Sequence, residues 1–76
     1  MDLQLRIGEL SRFALENNLS LRDLVQALER RLLEEALQKV NYNQTQAAAL
    51  LGIHRNTLRQ KVKDYGIEEP SGFSLT

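Results

Sequence analysis

The chain has 76 residues, no cysteine, one histidine, and ten cationic against ten acidic side chains. Leu, Ile, Val and Phe fill 23 positions, too many for a disordered chain, while zero cysteines exclude disulfide staples and a lone histidine offers no metal cluster. A chain of this length buries only about 60% of its extended surface, so one small domain with a marginal core follows, and self-association is the obvious supplement. No apolar run nears the ~20 residues of a membrane span and no secretory leader precedes the first charges, so a cytoplasmic chain with no membrane partner is expected.

Zero net charge hides an asymmetry along the chain. Residues 1–38 carry a net −2 and residues 67–76 another −2. Between them, Lys39, Arg55, Arg59, Lys61 and Lys63 stand against Asp64 alone, a net +4. That basic block is what a polyanion would meet.

One proline and no β-branched run make the chain all-helical. Only Leu3, Leu5 and Ile7 alternate as a strand does, so residues 1–7 read as a short arm or frayed lead-in. From Gly8, the residues Leu10, Phe13 and Ala14 predict a short helix ending at Asn17–Asn18. Residues 1–19 thus form an N-terminal arm or short helix.

The second helix has strong start signals. Ser20 is a good N-cap with Asp23 three residues on, and the pattern runs to about Val40. Leu21, Val25, Leu28, Leu32 and Ala36 gather in one stripe, and Leu33, Leu37 and Val40 in another. Two short following helices cover one stripe but hardly both. The leftover stripe, with Leu21, Val25, Leu28 and Leu32, asks for a second copy of the chain. The alternative is that the first helix folds back over it.

A third helix starts at the Asn43 cap, with Gln46 as its partner, and stops at Gly52, which supplies a left-handed turn. The fourth spans about Arg55 to Tyr65 and stops at Gly66. Residues 68–76 carry no pattern and read as a flexible tail. Two short helices joined by a glycine turn make a helix-turn-helix. Ala47 and Ala48 permit the close crossing, while Leu58 and Val62 face inward, extended by Tyr65.

With Leu58 and Val62 inward, Asn56 and Gln60 point outward. Arg59 and Lys63 flank one edge, Thr57 and Lys61 the other. Arg55 lies nearer the buried side but sits in the first turn, where a long side chain reaches past the helix end. Hydrogen-bonding groups between cations suit a major groove, with base edges on its floor and phosphates along its walls. An ordinary surface helix would mix acids with bases, yet residues 44–63 contain no acid at all. Double-stranded DNA is therefore the expected partner, with Arg55 and Lys61 free of their own subunit's core. Catalysis is not expected, because His54 has no nucleophile or carboxylate beside it, and no residue set suggests a cofactor.

Residues 43–67, Asn-Gln-Thr-Gln-Ala-Ala-Ala-Leu-Leu-Gly-Ile-His-Arg-Asn-Thr-Leu-Arg-Gln-Lys-Val-Lys-Asp-Tyr-Gly-Ile, resemble the Fis-type helix-turn-helix. That module is the C-terminal DNA-binding domain of NtrC-like, sigma-N-dependent bacterial activators. Residues 28–37, Leu-Glu-Arg-Arg-Leu-Leu-Glu-Glu-Ala-Leu, resemble its dimerisation helix, so the likeness covers residues 20–67. It implies a homodimer joined in a four-helix arrangement, presenting two recognition helices to adjacent major grooves at a palindromic enhancer. An upstream ATPase domain in a full-length activator is a further implied partner. By the same likeness Arg55 reads guanine and His54 lies beside it near base edges or phosphate. Thr45 and Thr57 match backbone-contacting positions, Asn43 nears a phosphate through its cap, and Arg59 and Lys61 lie along the DNA backbone. Gln46 and Gln60 replace cations of the nucleoid protein Fis, which favours a selective activator over an abundant DNA bender. A free-standing DNA-bending protein and a protein-binding helical module are the alternatives.

Overall fold

Cap chemistry marks where each helix begins. The computed structural model of the chain describes residues 2–68, and these form four α-helices: α1 (Leu3–Glu16), α2 (Leu21–Lys39), α3 (Gln44–Leu51) and α4 (Arg55–Tyr65). The all-α class agrees with the sequence pattern. The expected tail falls, apart from Glu68, outside the described residues.

The first helix begins earlier than its pattern suggests. Residues 3–7 are helical, not an arm, because the Asp2 carboxylate caps the helix by accepting from the Leu5 N–H at 3.3 Å. Gly8 therefore lies inside the helix, a position that costs about 1 kcal/mol relative to alanine but does not stop it. The other end falls as expected: Asn17 is the C-cap and Asn18 turns left-handed with φ of 57°.

Ser20 caps α2, its hydroxyl oxygen accepting from the Asp23 N–H at 3.0 Å. Within α2 the two predicted stripes part company except at Ala36, which belongs to the first stripe yet is buried. Leu33 and Leu37 are 2% and 1% exposed and pack with Ala47 and Ala48 of α3 and Leu58 of α4. Val40, Tyr42, Leu51, Ile53, Val62, Tyr65 and Ile67 close the sides of this core. Leu21 is 80% exposed, and Val25, Leu28 and Leu32 are each half exposed, so α1 does not fold back to cover them.

Gly52 and Gly66 end α3 and α4 with φ of 71° and 64°. After each, an isoleucine N–H returns to the helix: Ile53 to the Ala48 carbonyl and Ile67 to the Val62 carbonyl, both at 3.0 Å. These are the glycine stops anticipated from the pattern. The α2–α3 turn has no glycine. Asn41 and Tyr42 take φ of 53° and 64° there, a conformation that costs roughly 1–2 kcal/mol for a residue with a Cβ. The Tyr42 N–H bonds the Leu37 carbonyl at 2.7 Å, and its ring packs on the core, which offsets that cost.

Candidate nucleic-acid interface

α4 is held at its start by His54. The imidazole Nδ1 accepts from the Asn56 N–H at 3.0 Å, leaving Nε2 to carry the ring proton and donate outward. On α3 the Asn43 side-chain oxygen accepts from the Gln46 N–H at 3.0 Å, while its amide nitrogen keeps two donors. Both predicted contact residues are thus N-caps first, each with a donor remaining. The two helix starts follow different turns, Asn43 after α2 and His54 after α3, and unpaired N–H groups at such ends favour anions.

Ala47 and Ala48 are buried, so α3 and α4 cross closely and bring Thr45, His54 and Arg55 to the rim of one shallow depression floored by Ala48, Ala49 and Ile53. Asn56, Thr57, Arg59 and Gln60 are exposed along the outer side of α4. Arg55, Arg59 and Lys63 make no ion pair among the described residues. Gln60 donates to the Asp64 carboxylate at 2.8 Å, so one outward group is already bonded one turn along.

Lys61 departs from its expected place. Its Nζ lies 2.6 Å from a Glu29 carboxylate oxygen on α2, with the two side chains 36% and 34% exposed. That hydrogen bond raises the Lys61 pKa above the ordinary lysine value, against the opposing effect of partial burial. The reason is geometric. Lys61 follows Leu58 by three residues, about 60° round the helix, which brings it to the margin facing α2. Arg55, by contrast, is exposed in the first turn of α4.

Arg30 and Arg31 pair with Glu34 and Glu35 one turn along α2, at 3.4 and 2.7 Å. The sequence pattern passed over two α2–α4 links. Arg30 also donates from Nη1 to the Tyr65 carbonyl at 3.1 Å, and Glu29 holds Lys61. A signal was present: Glu29, Leu33 and Leu37 recur every four residues, so the acid continues the inward row.

A long helix feeding two short helices around a glycine turn defines a helix-turn-helix domain. Residues 25–65, just over half of the chain, match the family described as "Bacterial regulatory protein, Fis family", and the chain belongs to that family. A Fis-like DNA-binding protein of Xylella fastidiosa is 61% identical over 36 residues, which cover 47% of this chain and 40% of that protein. A Fis-like DNA-binding protein of Ralstonia nicotianae is 47% identical over 53 residues, covering 68% of this chain and 69% of the relative. The DNA-binding protein Fis of Buchnera aphidicola is 50% identical over 40 residues, covering 53% of this chain and 40% of the relative. The match therefore spans about two fifths of the Xylella and Buchnera proteins. No solved structure matches the chain. No described helix is long and apolar enough to cross a membrane.

Proposed function

We propose that the chain binds double-stranded DNA as a homodimer, laying α4 of each protomer in a major groove. One observation carries this reading: the outer side of α4 presents Asn56, Thr57 and Arg59 in a stretch with no acid until Asp64, beside the His54 cap and Thr45 of α3. The relatives named as DNA-binding proteins support it. Arg55 is assigned to guanine, whose O6 and N7 match a guanidinium fork. Arg59, Lys63, Thr45, Thr57 and the donors of Asn43 and His54 serve phosphates and neighbouring base edges. The exposed row of Leu21, Val25, Leu28 and Leu32 on α2 meets its own copy.

The finer assignment is a selective domain that anchors a sigma-N-type activator, with its ATPase domain, at a palindromic enhancer in the bacterial cytoplasm. Gln46 and Gln60, neutral where Fis carries cations, support selectivity over bulk DNA coating. A second reading, a free-standing Fis-like protein that bends DNA, draws on the Ralstonia relative, 69% of whose length aligns. Mobility of fragments carrying the site at permuted positions separates the two, since only the bender produces a large position dependence.

Selection of duplexes from a random pool tests the DNA reading itself. The expected product is a two-fold symmetric site. With about three to four phosphates neutralised per protomer, the log–log salt slope of binding is roughly −5 to −7. Arg55→Ala should cost about 1–3 kcal/mol per half-site and relax selectivity at one base position. A wild-type affinity indifferent to salt, or an Arg55→Ala effect equal on specific and random duplexes, would overturn the assignment.

A further inference from the structure

α4 sits on α2 through Leu58, which has no exposed surface, and through two polar links at consecutive α2 residues. Glu29 takes the Lys61 ammonium at 2.6 Å, and Arg30 donates to the Tyr65 carbonyl at 3.1 Å. The second link also satisfies a carbonyl of the last helical turn, a group that otherwise lacks an intrahelical donor. Because that acceptor is main chain, no side-chain change at Tyr65 removes it.

Both links lie in the C-terminal half of α4, whereas Arg55 and Asn56 lie at its other end. Six residues separate Lys61 from Arg55, about 9 Å along the axis. A tilt of about 10° about the Lys61 contact would move Arg55 by about 1.5 Å. Two symmetric protomers would then change the separation of their recognition ends by about 3 Å, close to the 3.4 Å step between base pairs. Ion pairs as exposed as this one contribute little to stability. Their geometric effect on a helix with so long a lever is large.

We propose that Glu29 and Arg30 are positioning residues that fix the direction in which α4 leaves α2, and thereby the half-site separation a dimer of this chain accepts, with Lys61 committed inside the protomer instead of to a phosphate. This rests on the DNA-binding reading above.

The experiment takes the best duplex from the random pool and lengthens or shortens its half-site separation by one base pair. Wild type, Lys61→Met, Glu29→Gln, their double variant and Lys61→Arg are titrated on each duplex across salt, with far-UV circular dichroism to confirm helicity. Lys61→Met and Glu29→Gln are each expected to lose about threefold or more of the preference for the selected separation. The double variant loses no more than either single change, the signature of one shared contact. Lys61→Arg retains the preference, and the salt slope of Lys61→Met stays at the wild-type value. Should Lys61→Met fail to fold, Glu29→Gln and Lys61→Arg carry the comparison.

A uniform loss at every separation, with the slope shallower by about 0.9 for each phosphate contact removed, would make Lys61 a phosphate ligand and overturn the proposal. An undiminished preference in Glu29→Gln would overturn it equally. A wild-type chain that retains no duplex would fail the DNA-binding reading first, and this inference with it.

Discussion

The two ends of α2 contain similar side chains and meet opposite fates. Leu33 and Leu37, toward its C-terminus, lie in the core beneath α3 and α4, while Leu21, Val25 and Leu28, toward its N-terminus, stay exposed to water. One helix thus serves two packing problems. Its second half is largely solved within the protomer by two short helices, and its first half is left with an apolar row that none of the described residues covers. α1 does not remedy this, because its own Leu3, Leu5, Phe13 and Leu15 are more than half exposed. Leu32, half exposed beside the buried Leu33, continues the open row, so both the heights of the neighbouring helices and the side they cover decide which row is satisfied.

The largest effect that sharpens this contrast is on the buried end. Leu37→Ala should cost about 2–5 kcal/mol in urea unfolding, since α3 and α4 both close on that side chain. The same truncation at Leu21 should change stability far less at concentrations where the chain is monomeric. Equal costs at the two positions would break the distinction.

Next comes the exposed end. Val25→Asp with Leu28→Asp should convert a dimer to a monomer in sedimentation equilibrium and remove the concentration dependence of Tm, because two facing carboxylate pairs would have to be desolvated. A wild-type chain that sediments as a monomer at about millimolar levels would contradict the assignment of this row to a second copy.

The smallest effect concerns the link between the two helices. The folded chain holds the Lys61 proton more tightly than the unfolded chain, through its bond to Glu29. The resulting stabilisation is full below the ordinary lysine pKa of about 10.4 and is lost as pH rises through the raised folded value. Any stability difference between wild type and Lys61→Met should therefore hold constant across neutral pH and shrink in strong alkali, read by thermal melts. A difference that vanishes instead between pH 7 and pH 9 would show that another group is responsible.

Most helix boundaries were legible from residues alone. Ser20, Asn43, Gly52 and Gly66 mark ends that the structure reproduces, because caps and left-handed stops are settled by atoms within four residues. Asp2 is the instructive exception: it is as good a cap as the others, but the alternation of Leu3, Leu5 and Ile7 and the glycine at position 8 masked it. The α2–α3 turn was not legible, since Asn41 and Tyr42 adopt positive φ without glycine and are held there by the core. For the candidate site, the outward set on α4 could be read from angles around Leu58 and Val62. The fate of Lys61 could not, because angle places it on a flank and only the partner helix decides whether that flank is open.

Sequence by itself determined the helical class, the glycine turn between α3 and α4, and a run without acids over residues 44–63, all consequences of composition, local propensity and a 3.6-residue period. Tertiary structure alone decided that Glu29 meets Lys61, that Arg30 reaches Tyr65, and that Leu33, Ala36 and Leu37 of α2 are buried while Leu21, Val25, Leu28 and Leu32 are not. These depend on where α4 crosses α2, a relation between residues more than thirty apart that no periodicity encodes.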